Sequence, residues 1–315
     1  MSILVTGGAG FIGSHLVDAL LERGESVTCL DNFDHFYDPA AKRRNLGQAN
    51  ANRRFRLVEG DIRDAALMKE LLADGSIRRV VHLAAKAGIQ PSLRDALAYH
   101  EVNVTGTVTL LEAIRESKVE QLVFGASSSV YGGNPNVPFS EDAELIGQIS
   151  PYAASKRAAE LYCYTYHHLY GLPTTCLRFF TVHGPRQRPD LAIHLFTHKI
   201  LAGETITIYG SQSRDCTYVS DIIDGVLAAI DRPFDFEIIN LGDSRPVTVR
   251  EMIAAVEGAT GITARIEQGE ARPGDPPTTY ADITKAQRLL GYEPKVPLEE
   301  GVGRFVAWHT EADSP

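Results

Sequence analysis

A glycine-rich segment directly after the first strand-like run limits most strongly what this chain can fold into. Gly7-Gly8-Ala9-Gly10-Phe11-Ile12-Gly13 follows the apolar residues 3–6 and opens a stretch with the apolar spacing of a helix. Such glycines permit a tight turn and a close approach of a pyrophosphate to the backbone, and the helix N-terminus supplies free N–H groups. In a strand–turn–helix context this is the fingerprint of a dinucleotide site. The predicted contacts are Gly7, Gly10, Phe11, Ile12 and Gly13.

Two carboxylates mark the ends of the next two predicted strands. Asp31 ends the second strand, where a carboxylate accepts both ribose hydroxyls and repels a 2′-phosphate. This favours NAD over NADP. Asp61 follows the third strand, and Asp61 with Ile62 offers one polar and one apolar contact to an adenine ring.

Short apolar runs alternate with longer amphipathic stretches over the first 125 residues. The runs lie at 3–6, 26–30, 56–59, 80–83 and 122–125. Because they are apolar on both faces, they indicate strands of a parallel sheet covered by helices on both sides. A long helix over 152–170 and a further strand over 174–178 continue the pattern. We therefore predict an α/β fold with a doubly wound parallel (Rossmann) sheet.

The sequence changes character after residue 184. Loops rich in Pro, Gly, Arg and Asp separate strands predicted at 205–209 and 236–240 from four predicted helices. These helices lie at 192–201, 221–230, 249–257 and 284–290. We predict an NAD-binding Rossmann domain over residues 1–183, including the 152–170 helix. A smaller mixed α/β substrate-binding lobe is predicted over 184–315, with some segments returning to the large domain.

A tyrosine and a lysine stand four residues apart at the start of the 152–170 helix. This spacing places Tyr152 and Lys156 on one face, where an ammonium group favours the phenolate and lowers the pKa of the tyrosine. Tyr152 is then a candidate base near neutral pH. Ser127, Ser128 and Ser129 end the fifth predicted strand, at the carboxyl edge where folds of this class bind ligands.

Composition excludes several classes of partner. The formal net charge is −9 and the pI about 5.6, so binding of bulk nucleic acid or of an anionic membrane surface is not expected. No apolar run approaches the roughly 20 residues of a membrane span, and we expect no signal peptide. The four cysteines are far apart and show no metal-ligand spacing. We therefore predict reduced thiols, no metal site and a cytoplasmic location.

The motifs taken together and in order resemble those of the extended short-chain dehydrogenase/reductases, in particular the NAD-dependent nucleotide-sugar epimerase/dehydratase branch. The resemblance covers nearly the whole chain. It rests on residues 6–13, Asp31-Asn32, residues 60–62, residues 82–85, Asn103, residues 127–132, Tyr152 with Lys156, Arg214-Asp215 and residues 272–275.

This resemblance implies a transient redox reaction on a sugar. Tyr152 takes the proton of a sugar hydroxyl while bound NAD accepts hydride from the same carbon. Lys156 lowers the pKa of Tyr152 and holds the nicotinamide ribose, and Ser127 hydrogen-bonds the reacting oxygen. The 4-keto sugar then turns over and is reduced on its other face. Further cofactor contacts are implied for Asn32, Ala84, Ala85, Lys86 and Asn103. Arg214 and Arg272 would hold the diphosphate, and Asp275 the ribose hydroxyls.

Ser128 and Ser129 discriminate between reactions within that branch. Dehydratases carry an acidic pair at these positions, and glucuronate decarboxylases carry a Glu at the second. A serine hydroxyl cannot serve as the acid or base at C5. The sequence therefore predicts a 4-epimerase of a UDP-sugar.

The segment 178–190 resembles that of UDP-glucuronate 4-epimerases. A uronate with a C4 ketone is a β-keto acid, and Arg188 offers a planar bidentate grip on its carboxylate. Thr181 would add a hydrogen bond. The predicted reaction is conversion of UDP-glucuronate to UDP-galacturonate. The alternative is a UDP-glucose/UDP-galactose 4-epimerase in which Arg188 faces solvent, and a third reading is a non-catalytic NAD(H)-binding module.

Three residues depart from the uronate pattern. His183 replaces a tyrosine, Gln90 stands where an arginine is common, and Lys86 is atypical. We expect all three near the nicotinamide and the sugar. The resemblance also implies a homodimer formed through helices near 93–117 and 152–170.

Overall fold

A seven-stranded, all-parallel sheet forms the centre of the molecule in the computed structural model, which describes residues 2–145 and 147–312. From one edge to the other the strand order is β3-β2-β1-β4-β5-β6-β10. The strands of this sheet are β1 (Ser2–Thr6), β2 (Ser26–Asp31), β3 (Phe55–Glu59), β4 (Ile77–His82), β5 (Gln121–Ser127), β6 (Thr174–Phe179) and β10 (Phe236–Leu241). Each strand predicted up to residue 178 is present, with ends that differ by a few residues.

Twelve helices alternate with or follow these strands among the described residues. They are α1 (Phe11–Glu22), α2 (Pro39–Asn45), α3 (Ala65–Ala73), α4 (Ile89–Arg94), α5 (Ala96–His100), α6 (Gly106–Arg115), α7 (Pro151–Tyr170), α8 (Ala192–Leu201), α9 (Val219–Asp231), α10 (Val249–Thr260), α11 (Thr284–Leu290) and α12 (Leu298–Ala312). A π-helical turn, Glu101–Thr105, joins α5 to α6.

Apolar layers cover both faces of the large sheet. One layer includes Leu16 of α1 and Ile222 of α9, and α1 packs directly against α9. The other includes Leu110 of α6 and Cys163 of α7. Because both faces are buried, the strands are apolar on both sides, as the sequence indicated. The predicted doubly wound parallel sheet is confirmed.

The second half of the chain builds two small sheets and contributes to the large one. A three-stranded sheet joins β7 (Thr181–His183), β9 (Ser213–Tyr218) and β11 (Pro246–Thr248), and a two-stranded parallel sheet joins β8 (Thr205–Tyr209) and β12 (Arg265–Gly269). A separate apolar cluster packs α8, α10 and α12 together. The predicted strand at 236–240 pairs with β6 of the large sheet. Helix α12 was not predicted.

The four cysteines are buried and unpaired. Among the described helices, none combines the length and apolar character needed to cross a membrane.

Candidate active site

A cleft of about 640 Å³ opens at the carboxyl ends of the parallel strands. Strand order reverses between β1 and β4, so the loops after these two strands diverge and leave a crevice, as the fold class requires. Most of the predicted site residues line this cleft. These are Gly7, Gly10, Phe11, Ile12, Gly13, Asp31, Asn32, Asp61, Ile62, Ala84, Ala85, Lys86, Ser127, Ser128, Ser129, Tyr152, Lys156, Thr181, Arg188, Arg272 and Asp275. Asn103 and Arg214 do not line it.

The turn after β1 depends on the absence of side chains at two glycines. A Cβ atom on Gly7, whose φ is +70°, would lie 2.7 Å from the backbone nitrogen of Ala84. A Cβ on Gly13 would lie 2.1 Å from the carbonyl oxygen of Gly7. Helix α1 begins at Phe11 with no side-chain cap, so its first N–H groups remain free at the cleft wall. This backbone cradle can hold a diphosphate.

Asp31 is held at the end of β2 by the backbone. Its Oδ2 accepts a hydrogen bond from the N–H of Ala9 at 3.1 Å, and its Oδ1 accepts one from Phe33 at 2.9 Å. Burial raises the pKa of Asp31, and the charge of Lys42 opposes that rise. A carboxylate has acceptor sites for about four hydrogen bonds, so two remain for a diol.

Asp61 is strongly ionised. Arg63 donates to both carboxylate oxygens at 2.9 Å, and Asn32 Nδ2 donates to Oδ2 at the same distance. These contacts hold the pKa of Asp61 at about 2, with the Arg63 hydrogen bond the largest cause. Asp61 and Asn32 thus form one polar wall at the end of the cleft next to Asp31.

Asn103 acts on the site through the backbone of a neighbouring loop. Its Oδ1 accepts from the N–H of Lys86 at 2.8 Å, and its Nδ2 donates to the carbonyl of Lys86 and to Ser155 Oγ, both at 2.9 Å. The side chain lies in the π-helical turn and is buried. Because it ties the loop after β4 to α7, Asn103 positions cleft residues and does not face the cleft itself.

Tyr152 and Lys156 both face the cleft from the first turns of α7. Burial raises the pKa of Tyr152, while hydrogen bonding to Ser127 and the charge of Arg188 lower it. Lys156 Nζ donates to the carbonyl of Gly125 at 2.7 Å, and burial lowers the pKa of Lys156 to about 8. In this geometry Arg188 is the cation whose charge acts on the Tyr152 phenol.

The serine turn is fixed from behind by a buried ion-pair network. Ser127 caps the short helical turn Ser128–Tyr131 by accepting from the N–H of Ser129 at 3.2 Å. Tyr131 receives a hydrogen bond from Arg178 Nη1 at 2.9 Å, and Arg178 forms a two-bond pair with Glu160 of α7. Arg178 and Glu160 are each 1% exposed. The network connects the serine turn to the helix that carries Tyr152.

Arg188 reaches the cleft from the turn before α8. Its Nε and Nη2 donate to Oδ1 and Oδ2 of Asp190, both at 2.9 Å. Thr181 of β7 lines the same cleft. Arg186 points elsewhere, because its Nη1 pairs with Asp18 of α1 at 2.7 Å. One edge of the Arg188 guanidinium is therefore already occupied by a carboxylate of the protein.

The opposite end of the cleft is bounded by the loop that follows β12. Arg272 stacks on the ring of Tyr209, with 3.5 Å between the guanidinium carbon and the ring centroid, and Asp275 lies beside it on the cleft wall. Arg214 donates to the backbone carbonyl of Ser213 at 2.7 Å. Burial lowers the pKa of Arg214, and the charge of Asp275 offsets part of this effect. Arg214 thus lies close to this end of the cleft without forming its wall.

The three departures from the uronate pattern lie in different places. Lys86 and Gln90 line the cleft; Lys86 pairs with Asp34 at 3.5 Å, and Gln90 donates to the carbonyl of Pro273 at 2.9 Å. The expectation for His183 was wrong. It is fully buried below the three-stranded sheet, where its ring packs edge-on against Tyr218, 5.6 Å between centroids. Its ring is directed toward α12, where a Cβ atom on Gly301 would lie 2.5 Å from Nε2.

Among the cleft residues that sequence reasoning missed are Phe36, Tyr37 and Lys42, which tertiary packing brings in. Lys42 is 7% exposed, and its ammonium lies 5.0 Å from the centroid of the Tyr37 ring. The Asp38-Pro39 pair does mark the start of α2, since Asp38 caps the helix and proline suits its first position. Nothing local indicates that Lys42 points inward.

Comparison with known proteins places the whole chain among nucleotide-sugar enzymes. The family model described as GDP-mannose 4,6 dehydratase matches residues 4–305. The UDP-glucuronate 4-epimerase of Thermodesulfobacterium geofontis is 40% identical over 98% of this chain and 96% of its own length.

Two solved structures are similar over almost their full length. UDP-glucuronic acid 4-epimerase from Bacillus cereus, in complex with UDP-glucuronic acid and NAD, has a TM-score of 0.94 and 37% identity, covering 99% of this chain and 100% of that one. UDP-glucose 4-epimerase from Thermotoga maritima, with UDP-glucose, has a TM-score of 0.91 and 34% identity, covering 99% of each chain.

Proposed function

The chain belongs to the extended short-chain dehydrogenase/reductases, in their nucleotide-sugar epimerase/dehydratase branch, and on this basis we propose that it is an NAD-dependent UDP-glucuronate 4-epimerase. One observation carries the choice of reaction and sugar. Thr181 and Arg188 share the cleft with Tyr152, while serines occupy positions 128 and 129. The cleft thus offers a base and a carboxylate site but no acid at the serine turn.

The residues present fit NAD. The turn through Gly7 and Gly13 can form only because both lack a Cβ atom, and it presents the free N–H groups at the start of α1 to a diphosphate. Asp31 offers acceptor sites to a ribose diol. A negative charge at Asp31 also disfavours a 2′-phosphate. Bound there, NAD supplies a reversible acceptor of hydride at the sugar C4. We infer that Lys156, which lies beside the Gly125 carbonyl, donates to the nicotinamide ribose when NAD is bound.

Tyr152 is proposed to remove and return the proton on the C4 oxygen. Its pKa is lowered by Ser127 and by Arg188, which offsets part of the effect of burial. The Ser127 hydroxyl lies in the same cleft, at the end of β5, and can hydrogen-bond the reacting oxygen. Removal of the proton from the C4 oxygen and of a hydride from C4, followed by return of the hydride to the opposite face and of the proton to the oxygen, inverts C4 with no net oxidation.

The carboxylate site explains why the proposed product keeps its carboxylate. A 4-keto uronate loses CO2 only when its carboxyl–ring bond can align with the carbonyl π system. A guanidinium that fixes the position of the carboxylate relative to the ring keeps the C5–C6 bond out of that alignment. Arg188 retains a free edge for this contact, and Thr181 adds a hydroxyl donor.

Arg272 and Asp275 are proposed to bind the nucleotide end of the substrate. Arg272 is held flat against Tyr209, which leaves its N–H groups directed outward in one plane, as diphosphate recognition favours. Arg214 interacts electrostatically with Asp275 and contributes positive potential there.

One observation favours a second candidate, a UDP-glucose/UDP-galactose 4-epimerase. The pairing of Arg188 with Asp190 leaves little net charge at this end of the cleft, so a neutral hydroxymethyl group would meet no buried unpaired cation. The two candidates share Tyr152, Lys156 and Ser127. They differ only in the sugar substituent that contacts Arg188, a carboxylate or a hydroxymethyl group.

Turnover of both nucleotide sugars decides between them. Purified protein is incubated separately with UDP-glucuronate and with UDP-glucose, and the C4 epimers are separated by chromatography. We expect UDP-galacturonate from the uronate. Tyr152→Phe should abolish the reaction, and Tyr162→Phe, on the exposed face of the same helix, should not. Conversion of UDP-glucose alone would establish the second candidate.

We also propose a homodimer and a cytoplasmic location. Helix α7 exposes Leu161, Tyr164 and Leu169, at 50%, 51% and 60%, and Leu97 of the neighbouring helix α5 is 77% exposed. An apolar face of this extent on two adjacent helices is typical of a subunit contact. Light scattering of the purified protein tests it. Four buried free thiols suit a reducing compartment.

A further inference from the structure

The sequence Arg188-Pro189-Asp190 forms a turn that brings an acid back onto its own arginine. The N–H of Leu191 donates to the carbonyl of Arg188 at 3.2 Å, which closes a four-residue turn with proline at its second position. Proline presets the backbone angle that this position needs. The turn therefore places Arg188 and Asp190 on the same side of the backbone and leaves the backbone between them little conformational freedom.

The guanidinium plane of Arg188 is fixed on one edge and on one face. Two parallel hydrogen bonds of 2.9 Å to Asp190 make carboxylate and guanidinium coplanar. The Phe36 ring lies 5.3 Å from the guanidinium carbon and covers one face. The Arg188 side chain is 17% exposed, so the contacts are made with limited access to water.

The contact with Asp190 also decides which donors remain for a ligand. Asp190 uses the edge formed by Nε and Nη2. The end formed by Nη1 and the second N–H of Nη2 is the other edge that can bind a carboxylate by two bonds. A ligand carboxylate bound there lies in the same plane as the guanidinium, and hence in the plane set by Asp190.

We propose that Asp190 is a positioning residue that suppresses decarboxylation. It holds Arg188 in the orientation that fixes the substrate carboxylate and keeps the C5–C6 bond out of alignment with the π system of the C4 ketone. This inference rests on the proposed function. In the side reaction the C5–C6 bond breaks and CO2 leaves. The electron pair of the broken C5–C6 bond forms the enolate of the C4 ketone, and C5 then takes up a proton from water. The product is a UDP-4-ketopentose, or a UDP-pentose once the ketone is reduced.

The test is the partition between epimer and decarboxylated product. Asp190→Asn keeps the shape but can accept only one of the two hydrogen bonds, since its amide nitrogen is a donor. With UDP-glucuronate as substrate and mass spectrometry of the nucleotide sugars, we expect the fraction of turnovers that end in CO2 loss to rise about tenfold. In Asp190→Glu, which keeps the negative charge, the fraction of turnovers that end in CO2 loss should lie between those of Asp190→Asn and the wild type.

Two further variants separate positioning from folding. Phe36→Leu removes the face contact at an exposed side chain and should raise the same fraction by a smaller factor, even if Asp190→Asn folds poorly. Asp231→Asn breaks another arginine–aspartate pair, on the surface with Arg23, and should change nothing. If Asp190→Asn and Phe36→Leu are both active and their ratio of epimer to decarboxylated product equals that of the wild type, this inference fails while the proposed function stands. If the wild-type protein does not epimerise UDP-glucuronate, the proposed function fails and takes this inference with it.

Discussion

The ammonium group of Lys156 lies 2.7 Å from the carbonyl oxygen of Gly125 and donates its hydrogen bond there. The two residues come from α7 and β5, and the contact fixes the lysine against the carboxyl end of the central sheet. Burial lowers the pKa of Lys156 to about 8. The protein therefore keeps a cation at a site where a charge is costly, which is typical of a group retained for function.

Replacing Lys156 by an apolar residue should increase stability and decrease activity. The pKa of Lys156 is about 8 in the native state and 10.5 when exposed, so the charge destabilises the fold below pH 8 and this cost disappears as pH rises toward 10.5. We expect Lys156→Met to raise the free energy of unfolding at pH 7 by about 1–2 kcal/mol and to reduce kcat about 100-fold or more. Urea unfolding and epimerisation assays measure the two. A variant that loses both stability and activity would contradict this account.

Removal of the Arg188 charge should shift the pH dependence of catalysis. Arg188 lowers the pKa of Tyr152, so Arg188→Met should raise it and move the acidic limb of the kcat profile to higher pH by about one unit. Epimerisation of UDP-glucuronate is measured at saturating concentration, so that weaker binding of the carboxylate affects KM and not the position of the limb. An acidic limb at the wild-type position would show that Arg188 does not act on the base.

A methyl group at Gly13 should prevent dinucleotide binding. A Cβ atom there would lie 2.1 Å from the Gly7 carbonyl oxygen, which the turn cannot relieve without losing its shape. We expect Gly13→Ala to purify without NAD and to show no quenching of protein fluorescence when NAD is added. Gly258→Ala is the matched control, because Gly258 also lies in a helix and its Cβ would meet nothing within 4 Å. That variant should bind NAD normally and gain up to about 1 kcal/mol.

Acid should destabilise the fold partly through His183. Its ring is fully buried, and burial lowers its pKa from 6.5 to about 4, against an opposing effect of the Thr217 backbone. The unfolded chain takes up the proton first as pH falls, so this stability is complete above pH 6.5 and is lost between about 6.5 and 4. His183→Leu should reduce the loss of unfolding free energy between pH 7.5 and pH 5 by about 2 kcal/mol. His168→Gln, at an exposed histidine, should leave that loss unchanged.

Local signals in the sequence were sufficient for the sheet and for the turn at Gly7. Strand and helix periods follow from which side chains are buried, and Gly13 is required by the backbone of its own turn, so both are visible within a short stretch. The family resemblance derived from these motifs is confirmed by the comparisons. Helix α12 was missed although its buried residues Val302, Phe305 and Val306 have helical spacing, so its signal was present in the sequence.

The sequence by itself determined the doubly wound fold, the turn at Gly7 and the position of Tyr152 and Lys156 on the cleft side of one helix, because each depends on spacing within one segment. Tertiary structure decided which groups these residues meet. It directed Lys156 to Gly125, buried His183 away from the cleft, and brought Phe36 from the loop after β2 onto Arg188. Such contacts depend on how distant elements pack, and the direction of a side chain in the folded protein is set by that packing and not by its neighbours in sequence.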